Sequence, residues 1–220
     1  FLITLKLINK QAALFSAFFM TISPWLFIFS RAGYEISAGL AFYLLGVYLF
    51  SYSFRKRSLF IITTLSLILS LYSYNSFRII APLTILILIF LERDNLKDII
   101  RRQLKWVMLS LAIITISFWP IYRLYVYDVG FFRLQAVGTV NAETFIKNYA
   151  SHFSLDFLLN GDRNLRHQQQ GFGQMNLPEL ILLLLGTLYI SLGSKSKYKF
   201  LPIALLLISP IPAALTKESP

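Results

Sequence analysis

The chain of 220 residues contains no cysteine, so it holds neither a disulfide framework nor a cysteine-bound metal centre, and cysteine usage gives no redox signal. Charge is scarce: Asp, Glu, Lys and Arg make up 14% of the residues, against about 25% in a typical soluble domain. Acidic residues are scarcer still, ten against twenty-one basic ones, for a net charge of +11. Histidine occurs only at positions 152 and 167, with no supporting zinc spacing. Walker A, GxGxxG, HExxH and GxSxG patterns are absent, which removes the usual signatures of phosphate-loop, dinucleotide-binding, zincin and serine-hydrolase chemistry. No internal repeat is visible.

What fills the chain instead is apolar. Hydrophobic residues make up 56%, with twenty Phe and twelve Tyr, and the mean hydropathy is +0.64. That composition fits neither a disordered chain nor an ordinary soluble domain. It predicts an all-α membrane protein, a polytopic bundle of transmembrane helices. A charge of +11 in a soluble protein would suggest nucleic acid; here it reads as a topology signal, and no nucleic-acid partner is expected.

A membrane-spanning helix needs about 20 apolar residues. Seven segments qualify, some of them short: about 11–30, 36–54, 58–73, 77–91, 106–122, 179–194 and 200–216. The connections alternate in charge. One set, with Lys6, Lys10, Arg55, Lys56, Arg57, Arg93, Lys97, Arg101, Arg102, Lys105, Lys195, Lys197 and Lys199, has a net charge of +10; the other set has +1. The positive-inside rule puts the first set in the cytoplasm of a multi-pass protein of the plasma (inner) membrane. Residues 92–105 are expected to form a short cytoplasmic helix. The other side holds one long connection, 123–178, whose Phe145, Tyr149, Phe153 and Phe157 recur at helical spacing. It is expected to be an ordered loop with short helices lying on the membrane surface. The chain opens at Phe1 inside an apolar run and stops after Lys217-Glu218-Ser219-Pro220; it is expected to be an internal or C-terminally truncated piece of a longer protein.

The polar residues that need explaining lie on the outer side. Arg31 and Glu35 are four apart and would share a face if one helix carried both. Glu35 heads an apolar helix, where the dipole favours a carboxylate by about 0.3–1 kcal/mol; a carboxylate there also suits proton acceptance or metal binding. Arg78, with Tyr72, Tyr74 and Asn75 beside it, interrupts an apolar stretch. It reads either as an arginine snorkelling into an aromatic belt or as a lipid-phosphate ligand. Asp162, Arg163, Arg166 and His167 gather charge in six residues, as a solvated loop tip or as part of a site.

These segments resemble a known family. Ser23-Pro24-Trp25 and Phe29-Ser30-Arg31-Ala32-Gly33-Tyr34-Glu35 resemble a motif of bacterial membrane glycosyltransferases. These are the dolichyl-phosphate-mannose-protein mannosyltransferase family (glycosyltransferase family 39 and its relatives), which has the GT-C fold. Tyr74-Asn75-Ser76-Phe77-Arg78 with Pro82 is similar to that family's next turn. Gly161-Asp162-Arg163-Asn164-Leu165-Arg166-His167 and Gly171-Phe172-Gly173-Gln174 are similar to its long outer loop, and Pro210-Ile211-Pro212-Ala213-Ala214-Leu215-Thr216-Lys217-Glu218-Ser219-Pro220 to the end of a later span. The resemblance implies that 1–220 is part of one transmembrane glycosyltransferase domain. It implies transfer of a sugar from a polyprenyl-phosphate donor to a protein, lipid or glycan acceptor on the extracytoplasmic face. Glu35 matches the family's second acidic position and is the catalytic candidate; Arg31, Tyr74, Arg78, Asp162, Arg166 and His167 are the substrate-binding candidates. The family's first acidic residue has no counterpart here, so this piece alone is expected to be inactive. A divalent metal between phosphate and carboxylate is compatible with the chemistry, its ligands unassigned. A lipid or solute transporter or flippase, and a non-catalytic membrane scaffold, are the alternatives. A carrier would keep its charges inside helices, whereas here they gather at one interface.

Overall fold

The structure is a computed structural model that describes residues 1–53, 56, 58–127, 138, 140–161, 173–193, 198 and 200–217. It is mostly helical, with no strand among the described residues. The helices are α1 (Leu2–Leu7), α2 (Lys10–Ile22), α3 (Pro24–Arg31), α4 (Glu35–Ser53), α5 (Leu59–Ser73), α6 (Phe77–Leu91), α7 (Arg93–Tyr127), α8 (Ala142–Ser151), α9 (Leu155–Asn160), α10 (Leu177–Gly193), α11 (Leu201–Ile208) and α12 (Ile211–Ala214). Two stretches, α4 and 100–124 of α7, are long and apolar enough to cross a membrane; α5, α6, α10 and the 201–214 stretch are apolar but shorter.

Helix breaks follow local chemistry. The apolar run 11–30 is two helices, because Pro24 disfavours helical backbone at the residue before it. Ser23 accordingly has ψ 122°, and Pro24 opens α3. Residues 200–216 are likewise two helices, parted at Ser209 and Pro210. The short helix expected over 92–105 is present as residues 93–102: non-helical backbone at Gln103 (φ −130°, ψ 18°) kinks α7 and parts that stretch from the apolar helix that runs on, with Pro120 inside it, to Tyr127. The aromatic stretch 144–159 is split between α8 and α9, because the Ser154 side chain caps α9 by accepting from the Phe157 N–H at 3.2 Å.

The chain divides into two compact units, Phe1–Ser37 with Asn141–Pro220, and Ala38–Val140. In the second unit, α4 turns Gly39, Tyr43, Val47 and Phe50 inward. A Cβ on Gly39 would lie 2.7 Å from the Phe77 ring, so only glycine allows that approach. Tyr43 stacks on Phe77 with centroids 5.4 Å apart. The Thr84 hydroxyl donates to the Ile80 carbonyl at 2.8 Å, which makes Tyr43 the donor in their 2.7 Å contact. Tyr72 donates to the Ser117 carbonyl and ties α5 to α7. Helix α5 buries Thr63, Thr64, Ser66 and Ser70. Small hydroxyl residues at helix contacts are the packing style of bilayers, where apolar burial no longer drives association.

In the first unit, Thr4 donates to Ser16 at 3.3 Å between α1 and α2. Helix α8 is fastened to the broken C-terminal helices. Pro-rich breaks leave carbonyls without helical partners. Tyr149 donates to the Leu207 carbonyl at 2.7 Å, and the Asn148 amide donates to the carbonyls of Ala214 and Thr216 at 3.3 and 3.1 Å.

Candidate functional site

The first candidate cluster sits on the turn joining α3 to α4. Gly33 takes φ +68°, a conformation that favours glycine. Its N–H bonds the Ser30 carbonyl, and the Tyr34 N–H bonds the Phe29 carbonyl, both at 3.3 Å. These two bonds close a Schellman turn. The hydrophobic contact that accompanies such turns is present, with the Phe29 and Tyr34 rings 5.3 Å apart. Backbone geometry thus accounts for Phe29, Gly33 and Tyr34 and leaves two residues over. Arg31 is the last residue of α3 and Glu35 the first of α4; both are exposed. The turn between them removes the continuous helical face on which they would pair. Neither makes a side-chain hydrogen bond or ion pair among the described residues, where the one ion pair joins Arg93 to Asp94.

An apolar groove of about 400 Å³ adjoins this turn. The Ser23–Pro24 break creates it: Ala17, Met20 and Thr21 from α2 face Leu26, Phe27 and Ser30 from α3, with Phe1 closing one side. Ser30 on its wall immediately precedes Arg31. Sequence reading missed this groove; its signal was the proline inside an uncharged run.

The second cluster, in the other unit, is the turn from α5 to α6. Tyr74 ends α5 in extended conformation (φ −152°, ψ 138°) and is half-buried. Its ring meets Phe77 edge-on at 6.5 Å. Arg78 is half-buried, and its Nε donates to the Leu71 carbonyl at 3.3 Å. A cation at a helix C-terminus satisfies an orphan carbonyl and complements the dipole. The structure therefore brings Tyr74 and Arg78 together around Phe77 and places Arg31 and Glu35 on either side of Gly33.

Asp162, Arg166 and His167 lie outside the described residues. The segment bounding them is described. Gly173 packs so tightly that a Cβ would come within 2.4 Å of the Leu158 and Leu159 backbone, and the Met175 N–H bonds the Leu158 carbonyl at 3.1 Å. The other histidine, His152, has Nδ1 2.8 Å from the Asn148 carbonyl, and its ring lies against Phe157. Among the described residues no three His, Asp or Glu side chains gather in a metal-binding group.

No family model, curated protein or solved structure matches this chain.

Proposed function

We propose that this chain is part of a multi-pass plasma-membrane glycosyltransferase that takes a sugar from a polyprenyl-phosphate donor and passes it to an acceptor on the extracytoplasmic face. The observation that carries the reading is the apolar groove beside the Arg31–Glu35 turn. A lipid-linked phosphate has a hydrocarbon tail, an anionic head and a leaving-group oxygen. The groove offers an apolar wall to the tail, Arg31 a cation to the head, and Glu35 an acceptor for the proton of the incoming hydroxyl. The membrane setting draws support from large apolar side chains left uncovered along several helices. Among them are Phe15 and Phe18 on α2, Ile116 and Trp119 on α7, and Tyr189 and Leu192 on α10, more apolar surface than a water-soluble monomer leaves bare.

In the reaction, Glu35 as general base takes the proton of the acceptor hydroxyl as its oxygen attacks the anomeric carbon. The bond from that carbon to the phosphate oxygen breaks, and polyprenyl phosphate leaves with the electron pair. Arg31 offsets the charge that builds on the phosphate. One base suffices for an inverting displacement, and no step is routed through a metal.

The test is transfer from a radiolabelled polyprenyl-phosphate sugar in membranes, using the protein extended by the N-terminal loop that the family resemblance implies and normalised to protein level. Glu35→Gln is expected to lower the rate by about 10²–10⁴, whereas Glu179→Gln, also an outer-side acid at a helix start, leaves it within a few-fold. Equal rates for the two variants would reduce Glu35 to a helix-start carboxylate and refute the assignment.

A further inference from the structure

The most charged stretch of α7 has no use in sugar transfer. Arg93, Lys97, Arg101, Arg102 and Lys105 fall within thirteen residues, against Asp94 and Asp98; residues 106–122 then carry no charge. The backbone breaks helical geometry at Gln103, between the charged and the apolar parts. An unbroken helix would have to hold the charged turns in line with the span; a break lets them take another direction. Arg101, Arg102 and Lys105 are exposed, and so are Ile100 and Leu104 at 41% and 53%. Exposed cations and exposed aliphatic side chains alternating at the mouth of a membrane-length helix match the boundary between headgroups and acyl chains.

Arg101, Arg102 and Lys105 have no protein partner among the described residues. Arg93 reaches Asp94 at 3.8 Å with both side chains largely exposed, and its guanidinium lies 4.7 Å over the Phe90 ring. No hydrogen bond or ion pair engages the side chains of Arg101, Arg102 or Lys105 among the described residues. Bunched like charges repel, so such a cluster calls for an anionic counterpart outside the chain. Guanidinium groups bind phosphate oxygens bidentately.

We infer that residues 93–105 are a docking face for anionic phospholipid headgroups, with Arg101, Arg102 and Lys105 on the phosphates and Ile100 and Leu104 among the upper acyl carbons. The inference rests on the membrane reading of the 104–124 stretch and is independent of sugar transfer. Each Lys or Arg at an anionic surface contributes about a fivefold preference, so three cations amount to about a hundredfold at low salt. That preference fades as ionic strength rises.

The experiment is amide hydrogen exchange on the full chain in nanodiscs of phosphatidylcholine alone and of phosphatidylcholine with phosphatidylglycerol. Amides 93–102 should exchange at least about tenfold more slowly in the anionic discs at low salt. High salt should abolish the difference. R101Q/R102Q/K105Q should abolish it too, whereas R101K/R102K/K105R, which keeps the charge, should retain it. Equal exchange in the two discs with amides 104–124 protected would overturn the inference alone. Unprotected 104–124 amides in both discs would overturn it together with the membrane reading. Slowing by inorganic phosphate in phosphatidylcholine discs, matched for ionic strength, would make this a free-phosphate site and refute a lipid face. If the glutamine variant fails to insert, the salt dependence of the unmodified chain decides.

Discussion

At the turn between α3 and α4 the backbone makes the structure, whereas between α5 and α6 the side chains make it. Two amide-to-carbonyl bonds and the left-handed Gly33 close the first turn, and Arg31 and Glu35 make no side-chain bond among the described residues. The second turn has no left-handed residue; it is filled by Phe77, 5% exposed, and capped by the Arg78 guanidinium on Leu71. A second contrast runs the same way. Glu179 makes the glutamate half of a capping box: its Oε2 accepts from the Asn176 backbone N–H at 2.7 Å, and also from the Asn176 side-chain amide at 3.2 Å. Glu35 also heads a helix and makes no such bond. Of two arginines and two glutamates in similar sequence positions, one of each is consumed by folding. The charges that folding leaves idle are the ones available to a substrate.

The sharpest break in this comparison is expected from Phe77→Ala. Truncating a buried Phe in a water-soluble core costs about 3–5 kcal/mol. Here roughly 2–3 kcal/mol is expected, because lipid is as apolar as the vacated contact. Gly33→Ala, which strains one left-handed residue, should cost about 1–2 kcal/mol. Thermal unfolding in nanodiscs should rank them in that order; the reverse ranking would mean that the side chains of the second turn contribute less than the backbone of the first.

A smaller effect separates the arginines. Arg78→Gln should lower stability by about 1–2 kcal/mol through loss of a charge-assisted bond to a carbonyl. Arg31→Gln should leave the unfolding midpoint unchanged and weaken retention of a polyprenyl phosphate in the same discs. An equal drop in midpoint for both would show that Arg31 too is structural.

The smallest effect separates the glutamates. Glu179→Ala should cost about 1 kcal/mol by opening the capping box, and Glu35→Ala at most a few tenths at an exposed helix start. Hydrogen exchange over the first turn of each helix reads this directly. In the proposed sugar transfer the inverse order is expected, and that inversion would distinguish a folding carboxylate from a chemical one.

Much of the helical layout was legible in composition and punctuation. Uncharged apolar runs marked the ground now covered by α4, α5 and α6, and Pro24 and Pro210 carried, unread, the breaks in two others. The short helix within 92–105 was legible as well, but the kink that ends it at Gln103 was not, because no Gly or Pro marks that position. At the candidate site, the spacing of Arg31 and Glu35 suggested one shared face. Gly33 was the residue that denied it, since its turn depends on a backbone angle rather than on periodicity. The cap that Arg78 provides was equally hidden: an arginine near an aromatic belt reads the same in sequence whether it meets lipid or a helix end. Asn148 carried no signal of its own and Tyr149 only its place among the helically spaced aromatics, because their partners are backbone carbonyls about sixty residues away.

Those two side chains have a mechanical consequence. Three carbonyls of the 207–216 segment hang on one face of α8, and each would be costly to strand in a water-poor setting. Helix α8 and the 207–216 segment are therefore held together as a single rivet line. A load applied to one is felt at the other, and neither peels away until all three bonds shear together. The α8 stretch of the long connection thus inherits the stiffness of α11 and α12.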